Sequence, residues 1–450
     1  MFYIMTKSEF EEYIDTVSKK GSVLGLESID ALLGKMDHPE CKLKFVHIAG
    51  TNGKGSVLAF TSTILKCAGY KVGRYISPVI ETYNEKIQVN GRNISQSDLL
   101  EGMELLKQKC CELKDEVGIE PTLFEIETAL AFWYFEKKQC DIVVLETGMG
   151  GMDDATNIIP TKEVAVLTSI SMDHMAILGN TLGEIAGVKA GIIKSGCHVV
   201  SAIQKEEATK VIEKAAEKEN VSVAYAELPC KVKYGIEKQS FSYHELKDLE
   251  ITLCGTYQPV NACIALSVIE ALIQRGYDIP EKAIRKGLKE TTWVGRFTVL
   301  SKKPLFIMDG AHNEDAAKRL RDSISTYLKG KPLIYIMGVF ADKEYEKVIA
   351  ETADLASFII AIATPGNSRA LPAIDLARAI SKVNPNVTTA DSIEEAVEMA
   401  MVLAGKSGNK QKNKDAGKCA IVAFGSLSYL GRLKKAVEVI EEKGINTLSI

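Results

Sequence analysis

Residues 44–56 read KFVHIAGTNGKGS, and a helical apolar pattern follows from Ser56 to Ala68. KFVHIAG (44–50) is a short strand-like run, and the seven residues Gly50-Thr51-Asn52-Gly53-Lys54-Gly55-Ser56 hold three glycines and a lysine. Phosphate oxygens need several backbone N–H groups converging on one point. Glycine lets the chain turn tightly and approach closely enough to supply them. A helix starting immediately behind aims its positive end at the same anion. In this reading Thr51, Asn52, Gly53 and Gly55 shape a nucleotide-binding loop, Lys54 neutralises β/γ charge, and the Ser56 hydroxyl reaches magnesium. The spacing departs from the usual phosphate loop. Only Thr51-Asn52 separate Gly50 from Gly53, and Gly55 stands between the lysine and Ser56. A tight strand–helix turn with an incidental lysine is the alternative.

Outward from this stretch, strand-like and helix-like patterns alternate, the signature of α/β domains on mostly parallel sheets. DIVVLE (141–146), VAVLTSI (164–170) and HVVSAI (198–203) continue the strand series, and Glu125 to Phe135 is helical. Residues 221–255 read as short alternating strands at one sheet edge. Residues 258–290 are helical, and TTWVGRF (291–297) is the expected joint between domains. PLFIMD (304–309), PLIYIMG (332–338), FIIAIAT (358–364) and AIVAFG (420–425) form a second series. The expected organisation is a P-loop-type domain over 1–295 and a smaller Rossmann-like domain over 296–450. KSGNKQKNKDAGK (406–418) has no apolar face and reads as a surface loop.

Composition narrows the function classes. Apolar residues make up 46% of the chain and charged residues 25%, the balance of a globular protein. A net charge of −4 gives no general attraction to nucleic acid or anionic membrane. No apolar run is long enough to span a bilayer, and the N-terminus lacks a signal-peptide pattern, so a cytoplasmic protein is expected. Ten scattered cysteines without CxxC spacing read as reduced thiols. Magnesium needs hard ligands at the carboxyl ends of parallel strands, and two candidates stand out. Glu146 closes DIVVLE ahead of Gly148-Met149-Gly150-Gly151, and His174 follows VAVLTSISMD, although a structural histidine is the simpler reading of the latter. Thr122 is placed to cap a helix, and Phe124 either stacks on a flat ligand or joins the core.

The GTNGKGS loop with its leading His47-Ile48-Ala49 resembles the folylpolyglutamate synthase and dihydrofolate synthase branch of the Mur ligase superfamily. LETGMGGMDDATN (145–157), TSISMDHMAILGNTLGEIAGVKAGIIK (168–194), Ser77-Pro78, PTLFE (121–125), GTYQPVNA (255–262), WVGRF (293–297) and DGAHN (309–313) resemble its other motifs in order. The resemblance implies ATP and Mg²⁺, with Ser77, Glu146 and His174 as metal ligands and Lys189 as a carbamylated lysine. It implies Thr122, Phe124, Glu125, Asp154, Ala155 and Thr156 at the pterin end of the substrate. Asn261 is implied to read adenine, Arg296 to meet the phosphates, Asp309 to orient the nucleotide, and His312 to sit near the transferred phosphate. The implied activity joins L-glutamate to a folate, or to dihydropteroate, through an acyl phosphate, in a monomer with ATP between its domains. Four positions depart from the pattern: Val79, Met152, Val188 and Tyr257 stand where the family has His, Arg, Glu and His. The Met152 and Val188 departures read as one ion pair removed together, or as altered substrate binding. Two further readings stay open. One is a cell-wall Mur ligase, which the about 43 residues before the first strand leave too short for a preceding UDP-binding domain. The other is a nucleotide-binding homologue without activity.

Overall fold

The structure, a computed structural model, describes residues 5–21, 23–407 and 419–447. It has the expected α/β architecture and divides into two units. The first is Met1–Pro229 with Tyr243–Leu249 and Val260–Thr291, and the second is Cys230–Ser242 with Glu250–Pro259 and Thr292–Ile450.

In the first unit the strands are β1 (Phe45–Ala49), β2 (Val72–Tyr75), β3 (Ile87–Val89), β4 (Arg92–Asn93), β5 (Ile142–Glu146), β6 (Val164–Leu167), β7 (His198–Ser201) and β8 (Val223–Tyr225). Among the described residues they form one sheet in the order β4-β3-β2-β5-β1-β6-β7-β8. The six strands from β2 to β8 in that order are parallel, and β3 and β4 add an antiparallel edge. β1, β5 and β6 are buried along their whole length, because both faces of the sheet are covered. One covering layer centres on the helix Leu123–Lys137, with Phe45, Tyr75, Phe132 and Leu145 in its core. The other gathers Ala165, Leu167, Ile185 and Ile212 under the helices Leu182–Ala190 and Glu206–Lys218.

The helix after β1 runs from Lys54 to Cys67, two residues earlier than its periodicity suggests, so Lys54, Gly55 and Ser56 occupy its first turn. It packs against the helix Glu281–Glu290 at Gly287, where a methyl group would lie 2.5 Å from Ile64 Cα. Such close backbone approach fixes the helix axis, and with it the place where the N-terminal end points.

The reading of 221–255 as strands at one edge needs correction. Only β8 joins the large sheet, whereas β9 (Cys230–Lys233), β10 (Gln239–Tyr243) and β11 (Leu246–Ile251) form a separate sheet in the order β11-β10-β9. β11 has exposed Lys247 and Asp248 followed by buried Leu249 and Ile251, and such a strand suits a sheet wetted on one face rather than a doubly covered one.

In the second unit β12 (Thr298–Lys302), β13 (Leu305–Met308), β14 (Leu333–Met337), β15 (Phe358–Ala361), β16 (Val387–Thr389) and β17 (Ala420–Phe424) are ordered β12-β13-β17-β14-β15-β16. All pairs are parallel except β12 with β13. Ile307, Tyr335, Ile359, Val422 and Phe424 form the core beneath its helices. Of the predicted loop 406–418, Lys406 and Ser407 close the helix Ile393–Ser407, and the rest lies outside the described residues. Among the described residues no helix is long and apolar enough to cross a membrane.

Candidate active site

The loop after β1 is shaped by close contacts that exclude side chains. Gly50 and Gly53 have φ of 151° and 99°. A methyl on Gly50 would lie 1.9 Å from Thr168 Oγ1, and one on Gly53 would lie 2.8 Å from Asn261 Oδ1. The loop is tied to the segment beyond β6. The Thr51 and Asn52 N–H groups donate to the Ser169 carbonyl at 2.8 and 3.2 Å. Thr51 Oγ1 donates to the Ser171 carbonyl at 3.0 Å and accepts from Ser171 N at 3.1 Å. These amides are therefore committed to holding the loop. Gly53 caps the helix Lys54–Cys67 without a side-chain hydrogen bond, so the positive end of the helix lies at this loop.

Two lysines converge on the carbonyl of Gly50. Lys54 Nζ donates to it at 3.1 Å and to the Thr51 carbonyl at 3.3 Å, and lies 3.9 Å from Glu146 Oε1. Lys189 Nζ donates to the same Gly50 carbonyl at 3.0 Å. Lys189 is only 5% exposed, and burial, followed by the neighbouring Lys54 charge, lowers its pKa to about 7. From sequence alone it reads as a helix lysine on the surface; the fold turns it inward instead.

The predicted metal ligands come from three separate segments. Glu146 is the last residue of β5, buried, between β2 and β1 in the sheet. Ser77 follows the end of β2 by two residues, so the two oxygen donors lie at the carboxyl edge of adjacent parallel strands, next to the loop after β1. Hard oxygen donors beside a phosphate loop suit Mg²⁺. His174, expected at a strand end, lies seven residues beyond β6, caps the short helix Met175–Leu178, and has a side chain 41% exposed. Its Nε2 is 3.9 Å from Asp173 Oδ1. Among the described residues, the one group of three His, Cys, Asp or Glu side chains close enough to share a metal is His38, Glu40 and Cys41. There Glu40 Oε1 already pairs with His38 Nδ1 at 2.8 Å and accepts from Cys41 Sγ at 3.6 Å.

The residues expected near the pterin end gather at the start of one helix and in the loop after β5. Thr122 caps the helix Leu123–Lys137 in a capping box with Glu125, whose Oε2 accepts from Thr122 N and Oγ1 at 2.7 and 2.8 Å. Both are buried, so their polar atoms serve the helix start. A methyl on Gly148 would lie 2.5 Å from the Phe124 ring, which places Phe124 against the glycine-rich loop after β5. Asp154 draws that loop together. Its Oδ2 accepts from Met149 N at 2.7 Å, and its Oδ1 accepts from Thr156 N and Oγ1 at 3.0 and 2.5 Å. Ala155 and Thr156 are buried in the turn Ala155–Ile158 that Asp154 caps. Two of the departures are neighbours, since Met152 N donates to the Val188 carbonyl at 2.8 Å. Paired replacement of an Arg and a Glu at these adjacent positions leaves no unmatched charge.

In the second unit Asp309 directly follows β13. Its buried carboxylate accepts from Phe297 N at 2.7 Å, Ala311 N at 2.8 Å and the Tyr257 hydroxyl at 2.8 Å, and burial raises its pKa. The Tyr257 departure thus supplies a donor to Asp309. A methyl on Gly310 would lie 2.8 Å from the Arg296 guanidinium and 2.3 Å from Leu427, so Arg296 stands over this turn. His312 Nδ1 donates to the Gly310 carbonyl at 2.8 Å, which puts the proton of a neutral ring on Nδ1.

Sequence reasoning missed the inner layer of the first site. Thr168 and Ser171 carry no separate signal within the motif segment 168–194, and neither does Lys162 ahead of it. Asn261 was expected at adenine, and its position against Gly53 follows only from the fold.

Residues 48–269 match the Mur ligase middle domain, and residues 295–410 match the glutamate ligase domain of Mur ligase. The chain is 36% identical over 353 residues to the dihydrofolate synthase/folylpolyglutamate synthase of Bacillus subtilis, covering 76% of this chain and 81% of that protein. A solved folylpolyglutamate synthase of Mycobacterium tuberculosis, complexed with ADP and AMPPCP, superimposes with a TM-score of 0.88 at 26% identity, over 96% of this chain and 98% of the other. Escherichia coli FolC in complex with DHPP and ADP superimposes with a TM-score of 0.80 at 27% identity, over 97% and 98%.

Proposed function

Because the chain belongs to the Mur ligase family, in its folylpolyglutamate synthase/dihydrofolate synthase branch, we propose that it is an ATP-dependent ligase joining L-glutamate to a folate-type carboxylate. The observation that carries this reading is the helix start at Lys54: capped by a glycine, shaped by Gly50 and Gly53, with Lys54 beside Glu146. The ADP bound to relatives supports ATP as co-substrate, and the oxygen donors Ser77 and Glu146 support a magnesium ion, with His174 as the remaining ligand of this reading. Magnesium, when bound there, would offset charge on the phosphate oxygens.

A carboxylate is a poor acyl donor until one oxygen becomes a good leaving group. In the first step a carboxylate oxygen of the acceptor attacks the γ-phosphorus and ADP departs, giving an acyl phosphate. In the second, the glutamate amine attacks the acyl carbon, the amide C–N bond forms, phosphate departs and the amine gives up a proton. The chain's part is alignment and charge neutralisation. Thr51, Asn52, Gly53, Gly55 and Ser56 hold the phosphate loop, and Lys54 balances phosphate charge. Asn261, Arg296 and Asp309 contribute to nucleotide binding, and Thr122, Phe124, Glu125, Asp154, Ala155 and Thr156 to the pterin end. His312, whose Nδ1 donates to the Gly310 carbonyl, sits near the transferred phosphate or the incoming amine in this reading. Lys189, with a pKa of about 7, has a large neutral fraction at neutral pH, the form that reacts with CO₂ to give a carbamate. The domain boundary at 295/296 and a cytoplasmic monomer belong to the same proposal.

The test is ADP release with L-glutamate and tetrahydrofolate, dihydropteroate or no acceptor. Acceptor-dependent ADP supports the ligase and tells chain extension from dihydrofolate synthesis. ADP affinity without turnover on any acceptor would instead support the inactive homologue, with Met152 and Val188 as its marks.

A further inference from the structure

A line of four buried side chains runs from inside the sheet to the loop that carries Asp154. Lys162 Nζ has three partners in range: it donates to Asn157 Oδ1 at 3.0 Å and to the Ile192 carbonyl at 2.7 Å, and lies 3.0 Å from His47 Nδ1. The opposite nitrogen of His47, Nε2, is 2.9 Å from Thr156 Oγ1. Thr156 Oγ1 in turn donates to Asp154 Oδ1 at 2.5 Å. His47 and Thr156 are fully buried, and Lys162 and Asp154 are each 4% exposed.

The roles of donor and acceptor follow from what surrounds the two ends. Asn157 uses its Nδ2 on the Met152 and Gly191 carbonyls, so its Oδ1 can only accept from Lys162. The Ile192 carbonyl likewise only accepts. Asn157 Oδ1 and the Ile192 carbonyl take two N–H bonds of Nζ; in the ammonium form the third goes to His47 Nδ1, which leaves Nε2 as the donor to Thr156. At the far end both Asp154 oxygens already accept backbone N–H groups, from Thr156 and Met149. All hydrogen bonds then point one way, from the Lys162 ammonium to the Asp154 carboxylate. Burial opposes charge at each end, lowering the Lys162 pKa and raising that of Asp154, so the two charges depend on these bonds.

We propose that Lys162 and His47 are positioning residues that act through Thr156 to orient Asp154, and with it the loop 148–157 against which the folate-type substrate is bound. This rests on the reading of Asp154 and its neighbours as the pterin end of the site. Nothing in the line touches the phosphate loop through a hydrogen bond of its own, so its effect is on the acceptor rather than on the nucleotide.

The experiment has two arms. The first is independent of activity: ¹⁵N spectra of histidine-labelled wild-type protein, in which His47 is assigned by its loss in His47→Gln. The expected signal is a neutral ring protonated on Nε2 between pH 6 and pH 8. A ring protonated on Nδ1, or one that titrates in that range, overturns the directed line. The second arm is steady-state kinetics of Lys162→Met, with ADP affinity measured by calorimetry as the check on folding. KM for the folate-type acceptor should rise about tenfold, the scale of one lost hydrogen bond to a charged group, while KM for ATP and ADP affinity stay within about twofold. An unchanged acceptor KM, or an equal loss of acceptor and nucleotide binding, overturns the positioning role. Failure of the ligase reading shows instead as wild-type protein with no acceptor-dependent turnover, while the histidine spectrum still reports on the line.

Discussion

Two strand–loop–helix crossovers, one in each unit, use the same topology for different ends. After β1 the chain turns through Gly50 and Gly53 into the helix Lys54–Cys67, and its N-cap offers no side chain. After β13 it turns through Asp309 and His312 into the helix Glu314–Tyr327, where Asn313 Oδ1 accepts from Ala316 N at 2.9 Å. The first helix start has no side-chain cap of its own; the second is closed by its own asparagine. The acid-and-histidine turn therefore acts through side chains, and the glycine turn through backbone and dipole. A parallel α/β crossover supplies the location, and the residue at the cap decides what that location does.

The comparison breaks most visibly at Lys54. In Lys54→Ala, ADP release should fall by at least about 10³-fold with the thermal midpoint little changed. Turnover near the wild-type level would leave the two helix starts functionally alike. Gly50→Ala tests the geometry of the first turn. It forces a side chain at positive φ into Thr168, and should cost about 3 kcal/mol in urea unfolding, where a loss under about 1 kcal/mol would mean that the loop is looser than described.

Charge sharpens the contrast further. Lys189 titrates near 7 in the folded protein, but near the ordinary lysine value of about 10.4 when unfolded. Between these pH values the unfolded chain binds the extra proton, so stability rises with pH; below about 7 this group contributes no slope. In CO₂-free buffer, wild type should therefore gain on Lys189→Met by roughly 2 kcal/mol between pH 7 and pH 9, read from urea midpoints. A constant difference would place the lysine in water rather than on the Gly50 carbonyl. The smallest effect belongs to the second turn: Asn313→Ala should lower stability by about 1 kcal/mol, and an anion such as sulfate should recover part of it by occupying the opened helix end.

Much of this was legible because it is local. The loop 50–56 declares itself through glycine spacing, the Thr122–Glu125 cap is a four-residue pattern, and the strands flanking both turns are continuous apolar runs. Short strands with mixed residues were less readable. β2 spells VGRY and escapes detection, because its Arg74 is buried and satisfied by the Thr63 hydroxyl at 2.7 Å, a partner eleven residues away. The strands after 221 carried the right alternation but no sign of which sheet they would join.

By itself, the order of residues determined that this chain would build parallel α/β units and place a phosphate-type loop ahead of a helix. Turn and helix signals lie within a few residues of one another, so they can be read without knowing the fold. Tertiary structure alone decided that Lys189 turns inward onto Gly50, and that Asn261 backs Gly53. It likewise decided that His47 finds Thr156 109 residues away and Lys162 115 residues away. The physical reason is that hydrogen bonds and desolvation depend on distance in space. Packing two covered faces onto one sheet creates those distances only after the chain has closed.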